Sequence, residues 1–247
     1  MSGAAPEPAR GGVPAGARLV LATRNADKVR ELRQMLAAAM PELDVDAAVV
    51  DAAAVDAPDV VEDGVTFSAN ALKKARAVAA ASGLIAVADD SGLAVDVLGG
   101  APGIFSARWS GRHGDDAANL RLLLDQLADV PAEHRGAGFV CCAALAVPGP
   151  AGADGARGIL SETVTEGHLR GTLLTAPVGE GGFGYDPILQ PEGRDVSAAQ
   201  LSPEEKNAIS HRGEAFTVLL PALVEALRSQ EAQRDQESER DQEAHEA

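Results

Sequence analysis

Four acids stand out by their setting: Glu62 beside Asp63, and Asp89 beside Asp90. The second pair follows an apolar run, residues 84–88, that reads as a buried strand. Carboxylates held at a strand end suit a hard divalent cation, which takes one or two of them together with phosphate oxygens and water. Adjacent residues of an extended segment point to opposite faces. One of the two aspartates is therefore expected to face a metal while its neighbour accepts hydrogen bonds in a Ser91-Gly92 turn. An ordinary Asp-Asp-Ser-Gly turn accounts for the same residues equally well.

Three further segments carry usable chemistry. Thr23, Arg24, Asn25, Ala26, Asp27 and Lys28 lie where a short apolar strand gives way to a helix. Free N–H groups, the positive helix end and Lys28 make that place fit for phosphate. Taken alone, it needs no more than a capped helix with a solvent lysine, and it is not a P-loop. Gly179-Glu180-Gly181-Gly182-Phe183-Gly184 has the glycine spacing of a dinucleotide fingerprint, but Tyr185-Asp186-Pro187 follows, and proline cannot sit inside the helix such a fingerprint opens. The loop can instead lay Phe183 or Tyr185 against a flat base, or pack both rings into the core. Lys206, His211 and Arg212 cluster in an otherwise acidic chain, which suits an anion or a carbonyl-bearing base, or surface pairing with Glu204 and Glu205. His113 and His168 lack neighbours at zinc-ligand spacing, and there is no Gly-x-Ser-x-Gly elbow of a serine hydrolase.

The elements that must position these residues alternate. Apolar residues 19–22 and the helical period of Val29, Leu32, Leu36 and Met40 predict strand, Asn25 cap and helix. Thr66 caps a second helix, with Ala71, Ala75 and Val78 inward and Lys73, Lys74 and Arg76 outward. A third helix is expected over about residues 115–127, strands over 138–147 and 159–168 around a 148–158 loop, and a last helix over 203–227. The interleaving indicates an α/β fold.

At 247 residues, 46% hydrophobic and 23% charged, the chain can bury a core without staples. The leader, residues 1–17, and the charged tail, 229–247, read as solvated, disordered ends around one domain spanning 18–228. From Ser229 onward seven acids face two arginines. A net charge of −16 argues against a nucleic-acid backbone as the main partner. No segment reads as a signal peptide or membrane helix, so a cytoplasmic protein is expected. Cys141 and Cys142 are adjacent and poorly placed to bridge each other.

In this order the segments resemble the inosine/xanthosine triphosphate pyrophosphatase family, also called the dITP/XTP pyrophosphatases. The likeness runs from about residue 19 to 227. It is carried by Thr23-Arg24-Asn25 with Lys28, Gly64-Val65-Thr66-Phe67 with Asn70, Asp89-Asp90-Ser91-Gly92-Leu93, Gly182-Phe183-Gly184-Tyr185-Asp186-Pro187, and Glu205-Lys206-Asn207 with Ser210-His211-Arg212-Gly213. The resemblance implies a two-lobed α/β protein, a long mixed central sheet flanked by helices, with the active site in the cleft between lobes, and a homodimer. It implies Mg²⁺ on Glu62 and Asp90, with Asp90 also preparing the attacking water. Residues 23–28 would hold the triphosphate of a purine nucleotide, Ser91 would contact substrate, and Phe183, Gly184, Tyr185 and Asp186 with Lys206, His211 and Arg212 would enclose the nucleoside.

A pocket with donors at the purine 6-oxygen would leave them unpaired against adenosine, and His211 and Arg212 are the candidate donors. Arg24 departs from the family, whose members often carry glycine there, which removes φ freedom from the turn and adds a cation near phosphate. Two other readings stand beside this one: a nucleotide-binding module without turnover, and a related-fold enzyme that acts on modified pyrimidine nucleotides or releases orthophosphate.

Overall fold

The structure, a computed structural model, describes residues 12–153 and 155–246; the side chains of Asp27 and of residues 237–239, 241 and 243–246 lie outside the description. Six strands form one mixed sheet in the order β2-β1-β3-β4-β5-β6. β1 (Leu19–Leu21) lies parallel to β2 (Val49–Asp51) on one side and to β3 (Ile85–Val95) on the other. From there β4 (Gly136–Ala151), β5 (Arg157–Leu173) and β6 (Leu189–Pro191) continue antiparallel.

Side chains that alternate along each strand give the sheet two buried faces. On one, Leu19, Leu21, Ile85, Val87, Cys141, Ala143 and Leu145 pack against α1 (Ala26–Ala39) and α6 (His211–Glu246). On the other, Val20, Ala86, Ala88, Cys142, Ala144 and Ala146 pack against α3 (Phe67–Ser82). The short α2 (Val45–Ala48) leads into β2. A third cluster occupies the far end of the long strands. There Leu93, Val95, Phe139 and Leu173 meet Leu123 of α4 (Asp116–Gln126) and Tyr185, Ile188 and Leu189. Two lobes thus share β3, β4 and β5, and the predicted α/β class and two-lobed form are found. Cys141 and Cys142 are buried and free, one on each face.

Four expectations need correction. β3 does not turn at Ser91-Gly92 but runs on through both aspartates to Val95, paired residue by residue with β4. The expected 148–158 loop is mostly strand, because β4 and β5 extend their ladder to Ala151 and Arg157. The last helix is two: α5 (Pro203–Ala208), whose N-terminus is closed by a Ser202/Glu205 capping box, then a break at Ile209 and Ser210 before α6. α6 also carries on to Glu246 through the tail, where alanine, glutamine, glutamate and arginine favour helix and neither glycine nor proline interrupts. The Glu231 carboxylate lies 3.3 Å from Arg18 at the base of that extension. Of the leader, residues 1–11 lie outside the described residues, while Ala17 is buried and Arg18 donates its backbone N–H to the Ala48 carbonyl at 2.9 Å.

Candidate active site

The strand period sends the two central aspartates to opposite faces. Asp89 stands across from Ala143 and Asp90 across from Cys142, and directly paired residues share a face. Asp89 therefore points toward α1 and α6. Lys28, in the first turn of α1, donates to both of its oxygens at 2.9 and 2.8 Å, and Arg212, in the first turn of α6, donates Nε–H at 3.2 Å. Burial by itself would raise the Asp89 carboxyl; the Lys28 and Arg212 charges overcome it and hold the group well below the usual carboxylate range.

Asp90 points toward α3. Asn70 donates Nδ2–H to it at 3.0 Å and, through Oδ1, accepts the Gly64 backbone N–H at 2.8 Å, which ties the segment carrying Glu62 to the strand. Lys74, one helical turn beyond Asn70, stands 3.2 Å from Glu62 and 3.7 Å from Asp90. Burial raises the Asp90 carboxyl above its ordinary value, and nearby Glu62 adds to the rise against the opposing pull of Lys74 and Asn70. This corrects the expectation that Lys74 joins Lys73 and Arg76 on a solvated face. Lys73 does face outward, paired with Asp63, and Arg76 pairs with Glu162.

The turn before α1 divides two cavities. Asn25 and Lys28 border one of about 310 Å³, whose walls include Ser91, Phe139, Phe183, Lys206 and His211. Thr23 and Arg24 border a second of about 310 Å³, with Asp59, Glu62 and Lys74. Asn25 caps α1 through Oδ1, which accepts the Lys28 N–H at 3.4 Å. Ala26 belongs to neither cavity and lines a groove against α2. The Asp27 side chain lies outside the described residues.

Around the first cavity the glycine-rich loop splits its aromatics. Tyr185 is core, its hydroxyl donating to the Ser106 carbonyl at 2.9 Å, whereas Phe183 is 70% exposed under the Lys206 ammonium, 5.0 Å above its ring. Asp186 holds the loop shut by accepting from Phe183 N–H at 2.8 Å and from Lys206. Gly184 N–H donates at 3.0 Å to Asp116, at the start of α4. His211 stacks on Phe139, and burial together with Arg212 and Lys206 pushes its imidazole down to about 3, so it is neutral near pH 7.

The structure thus gathers Lys28, Ser91, Phe183, Gly184, Tyr185, Asp186, Lys206, His211 and Arg212 at one cavity and sets Thr23, Arg24 and Glu62 at the other. Sequence reasoning gave no role to Asn70, Lys74, Asp59 or Asp116. The four-residue spacing of Asn70 and Lys74 on the helix that precedes the aspartate-bearing strand was the available signal for two of them.

A family model described as the Ham1 family matches residues 19–222. The chain belongs to the Ham1 family. Within it, a dITP/XTP pyrophosphatase of Streptomyces coelicolor is 60% identical over 215 residues, covering 85% of this chain and 98% of that protein. One of Mycobacterium tuberculosis is 52% identical over 207 residues, covering 83% and 95%. Among solved structures, that of a nucleoside-triphosphatase / dITP/XTP pyrophosphatase from Mycobacterium abscessus matches with a TM-score of 0.66 at 47% identity, covering 83% of this chain and 99% of that one. A Ham1 protein from Coxiella burnetii matches with a TM-score of 0.71 at 35% identity, covering 85% and 99%. Among the described residues no helix of this Ham1 chain is long and apolar enough to cross a membrane.

Proposed function

We propose that this chain hydrolyses the triphosphates of inosine, deoxyinosine and xanthosine to nucleoside monophosphate and pyrophosphate. The observation that carries the reading is the pair of cavities on either side of the turn before α1, one lined by a ring, an imidazole and cations, the other by two carboxylates and two cations. A nucleoside and its phosphate chain are a ligand of that polarity. The names of the 60% and 52% identical relatives support the same reaction.

Glu62 and Asp90 fit a hard cation. Both are oxygen donors, and both already converge on one positive group, the Lys74 ammonium. Among the described residues no cluster of three or more His, Cys, Asp or Glu occurs, so a magnesium ion on this pair would take the rest of its shell from phosphate and water. Mg²⁺ held there would neutralise charge developing on the phosphates. Asp90, its affinity for protons raised by burial, accepts the proton of the water that attacks the α-phosphorus as the α–β anhydride bond breaks. Lys28, Thr23 and Arg24 bind phosphate oxygens, Phe183 covers the base, and His211 with Arg212 reads its 6-oxygen. The active species is a soluble homodimer acting in the cytoplasm on free nucleotides.

The test is release of pyrophosphate from inosine and adenosine triphosphates, with Mg²⁺ and with chelator. Metal-dependent release that favours inosine supports the reading. Release of orthophosphate, or turnover confined to modified pyrimidine nucleotides, points to the related-fold enzyme instead, and nucleotide binding with no product points to a binding module.

A further inference from the structure

We propose that Asp89 is a positioning residue that joins Lys28 and Arg212 into one unit, so that the phosphate end and the base end of the nucleotide cavity are set together. The inference rests on the triphosphate reading above and adds a third partner to it.

Lys28 and Arg212 come from the first turns of two different helices, 184 positions apart in the chain by their numbering. Neither helix start fixes the reach of a long flexible side chain. Asp89 does: it is 6% exposed, and it is hydrogen-bonded to both cations, to Lys28 through each oxygen and to Arg212 through Oδ2. Charged hydrogen bonds in a buried setting are short, directional and hard to replace by water. One anion against two cations also leaves the unit with a single net positive charge toward the cavity. Two unneutralised cations would repel each other instead.

Asp89 is not a second metal carboxylate. It stands on the α1 and α6 face of β3, while Asp90, Asn70, Lys74 and Glu62 gather on the α3 face. A cation shared by Asp89 and Glu62 would have to lie through the sheet.

The experiment compares Asp89→Asn, nearly isosteric, with Lys28→Met and Arg212→Lys in the full chain. Lys28→Met lowers kcat/KM for inosine and adenosine triphosphates alike, and Arg212→Lys narrows the ratio between them. Asp89→Asn does both, with a loss of about 10- to 100-fold, the usual scale for a partner that orients a working group. The Mg²⁺ concentration for half-maximal rate stays at the wild-type value, unlike that of Glu62→Gln. If Asp89→Asn does not fold, Asp89→Asn with Lys28→Met removes the Lys28 pair on both sides, and it loses base selectivity relative to Lys28→Met alone. A cycle of the Lys28 and Arg212 substitutions, read as melting temperature with and without Asp89→Asn, needs no substrate. Non-additivity that vanishes with Asp89→Asn supports the unit. Additivity in both backgrounds overturns it, as does an Mg²⁺ requirement that rises with Asp89→Asn. A wild-type chain that releases no pyrophosphate refutes the functional reading, while the melting cycle still decides the unit.

Discussion

The imidazole of His211 lies on the ring of Phe139 with 5.2 Å between centroids and 23° between planes. Burial there, with the Arg212 and Lys206 charges beside it, pushes His211 down to about 3 from an ordinary value of 6.5. Below 6.5 the unfolded chain therefore binds a proton that the folded chain refuses, so the fold loses stability as pH falls. The loss from this one group is about 2 kcal/mol between pH 7 and pH 5. Asp89, held below its ordinary value, acts in the same direction at lower pH still. Thermal melts from pH 7 to 5 should show a falling midpoint, and His211→Phe should flatten the fall. An equal slope in the variant would remove His211 as the cause.

Asp90 sits where its proton affinity is raised and where Asn70 and Lys74 fix its orientation. Asp90→Asn keeps the shape and the Asn70 contact but can accept no proton from water. Turnover of inosine triphosphate should fall by at least about 100-fold, the lower bound for loss of a general base, with the melting temperature little changed. Asn70→Ala should lose activity too, and it should also loosen the Gly64 segment. Residual turnover by Asp90→Asn within a few-fold of wild type would assign the base elsewhere.

Gly167 of β5 lies beneath the start of α6. A Cβ there would fall 2.5 Å from the Ala215 nitrogen and close to the His211 carbonyl. Thr165 and Glu214 bind the same junction, with Thr165 Oγ1 donating to the Ala215 carbonyl at 2.7 Å and Glu214 accepting from His168 N–H at 2.7 Å. Gly167→Ala must push α6 away from the sheet, at a cost of about 1–3 kcal/mol for an overpacked contact. His211 and Arg212 move with the helix. The expected result is a lower melting point together with a reduced preference for inosine over adenosine triphosphate. Lower stability with unchanged preference would mean that the helix start holds its place.

Much of this arrangement was legible because local chemistry and global position agree. Apolar runs placed β1 and β4, the segment after the 148–158 stretch gave β5 as a partner strand, Thr66 and Asn25 marked the helix starts, and Pro187 removed the dinucleotide fingerprint. The misses share a physical origin. Asp89 and Asp90 read as a strand end because two carboxylates rarely sit inside a sheet, and only Lys28, Arg212, Asn70 and Lys74, all distant in sequence, make that position tolerable. Lys74 read as a solvent lysine because helical spacing says which residues share a face, but not which loop covers it. The tail read as a free end because it has little to bury, although its helix propensity is high.

Arg24 gives the sharpest test of the departure from glycine. Among the described residues only Asp56 has a positive φ without being glycine, so the turn asks no left-handed backbone of Arg24. Its guanidinium donates to Asp59 at 3.0 Å across the rim of the cavity that holds Glu62 and Lys74. Both partners are largely exposed, so the pair contributes at most about 1 kcal/mol to stability. A cation worth so little to the fold, at the mouth of the cavity proposed for phosphate, can exchange Asp59 for a phosphate oxygen under that proposal. Arg24→Gly should leave the melting temperature nearly unchanged and raise the KM for inosine triphosphate several-fold. Inhibition by added pyrophosphate should weaken in parallel, whereas inhibition by inosine monophosphate should not. Asp59→Asn, which releases Arg24 from its partner, should lower the KM. Unchanged KM and pyrophosphate inhibition in both variants would make Arg24 a surface residue and leave phosphate binding to Lys28 and the helix start.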